Sequence, residues 1–173
     1  VLAIAMIAQR KVNTLVLVHR RSLLDQWRQQ LETFLAPIKQ AQDDTGTGPK
    51  NEKRLPIGQF HSGKDCLSGV VVIAMIQSCL HNGEAKAFVQ DYGMIIVDEC
   101  HHVPAVSFEQ VLRHVKARYV YGLTATPFRK EGHQPIIFMQ CGKISYTVDA
   151  QSQIDKQEFT RRLIPRFTSS RTF

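Results

Sequence analysis

The sequence predicts an open α/β fold built on a mainly parallel sheet. VVVIAM (Val70 to Met75) and MIIVD (Met94 to Asp98) are short and almost wholly apolar, the pattern of strands covered on both faces. Stretches with apolar residues at helical spacing lie between the strand-like runs, so strands alternate with helices and right-handed crossovers follow. Composition agrees. With 43% hydrophobic and 21% charged residues in 173, the chain suits one ordinary domain with a sizeable core rather than a disordered or membrane-spanning chain.

Taken in order, VLAIAMIA at the start is helix-like and lacks the basic flank and cleavage site of a signal peptide. No apolar run approaches the ~20 residues of a spanning helix, so a cytoplasmic location is expected. TLVLVH (Thr14 to His19) reads as a strand rich in β-branched residues. After Ser22, the residues Leu23, Leu24, Trp27, Leu31, Phe34 and Leu35 form a stripe at helical spacing that Pro37 is expected to end. Trp27 falls on that stripe, which makes it core rather than a base-stacking platform. The polar, turn-rich segment from Lys39 to Arg54 reads as a surface loop. Its TGTGPK lacks both a preceding apolar strand and a G-K-[ST] ending, so it is no phosphate loop. Past the two apolar strands, Ser107 with Gln110 makes a capping box opening the helix SFEQVLRHV. ARYVYGLTA (Ala117 to Ala125) is a further strand. Beyond Arg129 the pattern weakens, with ISYTVD as a strand and FTRRLIPRF as a basic connector leaving the domain.

The formal charge of +7 and a pI near 9.4 fit either a polyanionic partner or a merely basic surface. Cys66, Cys79, Cys100 and Cys141 lie far apart with no C-x-x-C pair and read as reduced thiols. Cys79 with His81, and Cys100 with His101 and His102, match no standard zinc spacing.

Chemistry is expected where the strands end, because an open parallel sheet binds ligands outside the carboxyl ends of its strands. MIIV as a central strand delivers Asp98 and Glu99 to that edge. Adjacent carboxylates on extended chain point in different directions. One can then hold a hydrated magnesium ion while the other polarises an attacking water. For an isolated acid pair after a strand, a polar turn is the safer reading.

The neighbouring segments narrow this. GLTATPFR puts Thr124 and Thr126 around Ala125 at another strand end, and VLVHRRSLLDQW turns from a strand through basic residues into a helix. QFHSGK and VVVIAMIQS lie between them. In this order the pieces resemble the first motor domain of superfamily 2 helicases and translocases, RecA-like P-loop NTPases driven by nucleic acid. DECH is similar to the Walker B motif in its DExH form and TAT to motif III. LVHRRSLLDQW corresponds to motif Ia, and IAMIQS to a later strand-end motif that touches the tracking strand. The Q-W pair and GLTATPFRKEG are most similar to the XPB-like branch and to restriction-enzyme translocase subunits. The resemblance implies ATP and Mg2+ as cofactors, DNA as partner with RNA left open, Asp98 as a magnesium ligand through water, and Glu99 as catalytic base. It implies that His101 sits at the interface with a second motor domain, and that Thr124, Ala125 and Thr126 couple closure of the lobes. Arg20, Arg21 and Ser22 would meet the phosphodiester backbone, with Ser62, Gly63, Lys64, Gln77, Ser78 and Arg129 as further candidates.

The family's G-x-x-x-x-G-K-[ST] loop is not in these residues. In the family it directly precedes the helix that VLAIAMIAQR resembles, so the chain is expected to start just after it. Residues 1–130 are read as the motor domain without its P-loop strand, and 131–173 as its end plus a connector towards a missing second RecA-like domain. Without the loop's lysine and amides the phosphates lose their main anchors, so this piece is expected to be idle as an ATPase. Arg129, Lys130 and Glu131 only partly match the R-E-D element of XPB-like proteins, which leaves unwinding against translocation open. Two other readings stand beside this one: a nucleotide-independent DNA-binding module, and a metal-dependent hydrolase using Asp98, Glu99, His101 and His102.

Overall fold

All five residues of the strand Thr14–Val18 (β1) are buried, and this strand organises the computed structural model of the chain. The structure describes residues 2–40, 57–61, 64–67, 69–102, 105–125 and 134–148. Contacts divide the chain into two compact units, Val1–Gly142 and Lys143–Phe173. In the first, β1 is joined by Ile57–His61 (β2), Lys64–Cys66 (β3), Val71–Met75 (β4), Met94–Val97 (β7) and Tyr119–Gly122 (β8). Leu80–His81 (β5) and Glu84–Ala85 (β6) pair as a separate small hairpin. The main sheet runs β3-β2-β4-β1-β7-β8. Every pairing in it is parallel except β2 with β3.

Helices cover both faces, as the doubly apolar strands require. Successive residues of a strand face opposite ways, and the two cores follow that alternation. Leu15, Leu17, Ile95 and Val97 share one core with Phe108 and Val111 of α3 (Ala105–Leu112) and with Ile136 and Ile137 of α4 (Gln134–Cys141). Val16, Val18, Met94 and Ile96 share the other with Ile4 and Ile7 of α1 (Leu2–Arg10) and with Leu24, Trp27 and Leu31 of α2 (Arg21–Gln40). The open, mainly parallel α/β architecture expected from the sequence is the one observed.

Several local expectations are corrected. Helix α2 continues through Pro37 to Gln40 and takes in the first residues of the expected loop. The proline removes one backbone bond to the carbonyl four residues upstream, and the helix ends within one turn of it. Phe34, placed on the apolar stripe by spacing, is 45% exposed. The buried face is Leu24, Trp27, Leu31 and Leu35, and Phe34 points about 100° away from Leu35. Ser107 is the third residue of α3 rather than its cap, since the helix begins at Ala105. The sequence Pro104-Ala105 carried the helix-start signal that the capping-box reading passed over. In the second unit, Ile144–Val148 of the expected strand ISYTVD has no regular structure. There Ser145 Oγ donates to the Lys143 carbonyl, a local bond that competes with a ladder, and Ile144, Tyr146 and Val148 are exposed. The remainder of the expected loop from residue 41, and FTRRLIPRF, lie outside the described residues. Strand β2 carries the QFH of the segment QFHSGK, while β3, the small hairpin and α4 are additions to the elements expected.

Ile96 is fully buried between β1 and β8 on the face covered by α1 and α2. Ile96→Ala should cost about 2–5 kcal/mol, read as a lower urea midpoint with an unchanged slope.

Candidate functional site

The site begins where β7 ends. The Asp98 N–H extends the ladder by donating to the Leu17 carbonyl at 3.0 Å, and the Leu123 N–H donates to the Val97 carbonyl at 2.9 Å. Glu99 then turns the chain with a φ of 47°, a left-handed conformation that costs a residue with a Cβ about 1–2 kcal/mol. Such strain persists only where neighbours fix it. Here the Cys100 N–H donates to the Leu123 carbonyl at 3.0 Å and the His102 N–H to the Glu99 carbonyl at 2.8 Å. The Glu99 N–H itself donates to Asp98 Oδ1 at 3.0 Å. The chain continues as a 3-10 turn, Cys100–His102.

The two carboxylates therefore live in different surroundings. Asp98 accepts the Glu99 N–H on Oδ1 and the Trp27 indole N–H on Oδ2, the latter at 2.7 Å. It borders a cavity of about 190 Å³ lined also by Leu2, Ala3, Gln26, Gln30 and Leu123, room for several waters. Glu99 Oε2 is buried and, among the described residues, accepts no hydrogen bond. It lies 3.3 Å from His101 Nδ1, and Thr124 Oγ1 lies 2.5 Å from that same nitrogen. His101 thus stands between a base-like carboxylate and the end of the next strand.

Close packing holds this arrangement from below. A Cβ on Gly122 would meet Cys141 Sγ at 3.1 Å and Cys100 Sγ at 3.2 Å, so glycine there lets α4 and the acid turn both approach β8. Burial pushes the Cys100 thiol up to about 11 and the Cys141 thiol up to about 12. Both stay protonated near neutrality and act as small apolar fillers rather than thiolate ligands or nucleophiles.

A basic group occupies the same edge. Arg20, Arg21 and Ser22 are exposed at the start of α2, and Arg21 Nη1 lies 3.3 Å from His61 Nδ1 at the end of β2. Exposed Gln77 donates from Nε2 to the His19 carbonyl at 3.3 Å, and Ser78 follows it in the 3-10 turn Ile76–Cys79. The backbone of Lys64 opens β3, and Ala125 is exposed just past Thr124. Ser62, Gly63, Thr126 and Arg129 lie outside the described residues.

Sequence reasoning missed several participants. His19 directly follows β1, with both ring nitrogens buried and, among the described residues, without a hydrogen bond, 5.4 Å from the His102 ring. His102 in turn packs 3.9 Å from His101. Trp27 was legible as core, but its bond to Asp98 was not. The available signal was that a buried indole N–H needs an acceptor. Among the described residues no group of three or more His, Cys, Asp or Glu side chains converges as a metal-holding set. Asp98 alone presents carboxylate oxygens to the cavity, which suits a hydrated hard cation that keeps most of its waters.

Comparison with known proteins places this edge in context. The family described as "Type III restriction enzyme, res subunit" matches residues 1–129. The chain belongs to this family. It lies within the superfamily 2 helicases and translocases that the strand-end motifs resemble. A protein named "Putative helicase 109L" from Invertebrate iridescent virus 3 is 30% identical over 142 residues, 82% of this chain and 40% of that protein. The DNA 3'-5' translocase XPB2 of Sulfurisphaera tokodaii is 27% identical over 144 residues, 83% of this chain and 28% of that protein. The UvsW helicase from bacteriophage T4 superposes with a TM-score of 0.52 at 16% identity, over 80% of this chain and 44% of that one. That last likeness shows the shared RecA-like fold. The chain spans 40% or less of the length of these curated relatives. Among the described residues no helix is long and apolar enough to cross a membrane.

Two predictions follow from this packing. Gly122→Ala forces both sulfurs to move and should destabilise by about 1–3 kcal/mol, and Cys141→Ala in the same chain should recover part of the loss, read from urea midpoints. His19 has its pKa lowered below 6.5 by burial first, then by Arg20 and His102, against smaller opposing effects of Glu99 and Asp98. The unfolded chain therefore binds that proton first, so stability is complete above about 6.5 and is lost as pH falls towards the lowered folded value. The drop in urea midpoint between pH 7.5 and 5.5 should shrink in His19→Gln, and an unchanged drop would assign the acid sensitivity elsewhere.

Proposed function

We propose that this chain is the first motor lobe of an ATP-driven helicase or double-stranded DNA translocase, with DNA as the partner. One observation carries the reading: Asp98 and a strained Glu99 leave adjacent positions of one central strand into different surroundings. Phosphoryl transfer needs such a division, because its catalysis is mainly positioning and charge stabilisation. Asp98, which lines the cavity, would hold Mg2+ through water, and the bound ion would supply charge neutralisation at the nucleotide phosphates. Glu99, whose buried Oε2 faces His101 Nδ1 at 3.3 Å, polarises the attacking water. Its buried oxygen keeps a carboxylate available as an acceptor at little reorganisation cost. His101 and Thr124 relay the state of this site to the end of β8, and His101 further to a second RecA-like lobe. Residues 1–130 supply the lobe and 131–173 its end and a connector, in a cytoplasmic protein. The basic group Arg20, Arg21 and Ser22, with Gln77 and Ser78, lies along the same sheet edge and takes the phosphodiester backbone at a helix start, where amides already favour anions.

In this reading the phosphate loop and the second lobe come from outside these 173 residues, and the chain alone does not turn over ATP. The complete gene product should hydrolyse ATP, faster with duplex DNA present. Glu99→Gln should lower the stimulated turnover by about 10²- to 10⁴-fold while nucleotide binding survives. Hydrolysis indifferent both to DNA and to Glu99→Gln would overturn the proposal.

A further inference from the structure

Trp27 is 6% exposed and shares the buried stripe of α2 with Leu24 and Leu31. Its ring belongs to the core, yet its one polar atom does not stay there. The indole N–H reaches across the sheet edge to Asp98 Oδ2 at 2.7 Å, between residues 71 positions apart in the chain. A bond from an N–H to a carboxylate is charge-assisted and about twice as strong as a neutral one. The Glu99 N–H meets the other oxygen at 3.0 Å. A carboxylate offers about four lone-pair sites. With one donor on each oxygen the plane of the group is set, and lone pairs remain on a carboxylate that lines the cavity with Gln26 and Gln30.

We infer that Trp27 is a positioning residue for Asp98: its indole N–H fixes the carboxylate in the orientation that receives a hydrated divalent cation. The inference rests on the proposed role of Asp98 and adds to it the residue that holds Asp98 in place. Groups that orient a metal-holding carboxylate typically change affinity by about 10–100-fold when removed. Trp27→Phe keeps an aromatic body in the core and deletes only the donor and part of the ring. A packing role alone would therefore lower stability without changing cation affinity at temperatures where both proteins are folded.

The chain has one tryptophan, so a 15N-labelled full chain gives a single indole N–H resonance. In Asp98→Ala that resonance should move upfield and exchange faster with solvent. Asp98→Asn retains an acceptor oxygen and should keep most of the protection. An indole resonance indifferent to Asp98→Ala overturns the inference. With Mn2+ as the probe, the wild-type indole signal should broaden, and electron paramagnetic resonance should show Trp27→Phe binding Mn2+ about tenfold or more weakly. Equal Mn2+ affinity in wild type and Trp27→Phe removes the positioning role and leaves the metal reading of Asp98 standing. No Mn2+ binding by the wild type removes that reading, and the inference with it. Should Trp27→Phe fail to fold, the Asp98→Ala and Asp98→Asn spectra decide the question alone.

Discussion

The left-handed turn at Glu99 is the constraint on which the site depends. β7 could have continued or ended in an ordinary bend. Instead the Cys100 N–H donates to the Leu123 carbonyl, so the chain leaves β7 while still bonded to the segment after β8. That single bond needs the residue between Asp98 and Cys100 to reverse direction sharply, and Glu99 does so at a φ of 47°. A glycine would adopt this geometry without strain. The cost of placing a carboxylate there is borne by the surrounding ladder, because the Asp98 N–H is tied to β1 and the Leu123 N–H to β7. The parallel ladder is therefore more than a scaffold. It holds one residue in a conformation the residue would not choose.

The turn also explains why two neighbouring acids differ. Asp98 stays close to the strand and within reach of the Trp27 and Glu99 N–H groups, which donate to its two oxygens. The Glu99 side chain instead turns towards His101, with its buried Oε2 3.3 Å from Nδ1. Gly122 belongs to the same design. A Cβ there would press on Cys141 and Cys100 at 3.1 and 3.2 Å, so glycine lets both sulfurs sit closely against β8 beside the acid turn.

Much of this was readable in the chain itself, and the boundary between what was and was not is physical. VVVIAM and MIIVD announced doubly covered strands because burial on both faces removes polar residues from a strand. The acids after MIIV were legible as a site only through their neighbours in order, since one strand end says little by itself. Trp27 shows the limit. Helical spacing placed it in the core, correctly, but periodicity carries no information about a partner 71 residues away. The same holds for His19, whose surroundings come from β7 and its turn, and for the His61 contact of Arg21. Pro37 and Ser107 misled for the opposite reason. Local rules for ending and starting helices describe average costs, and here the extent of each helix departs from them.

The arrangement of the two charged groups along the sheet edge follows from strand order rather than from any local motif. β1 lies between β4 and β7, so His19, the residue that follows it, lies near both. The His19 carbonyl receives Gln77 from the β4 side, while the His19 ring lies near His102 on the β7 side. Directly after it come Arg20 and Arg21, and then α2 carries the chain to Trp27 and back to Asp98. One turn and one helix thus touch the basic group at their start and the acidic group two turns later. Two oppositely charged clusters, far apart in sequence, share rigid elements because a parallel sheet brings all of its carboxyl ends to one edge. A helix inserted elsewhere in the strand order would keep every motif intact and still separate the two groups.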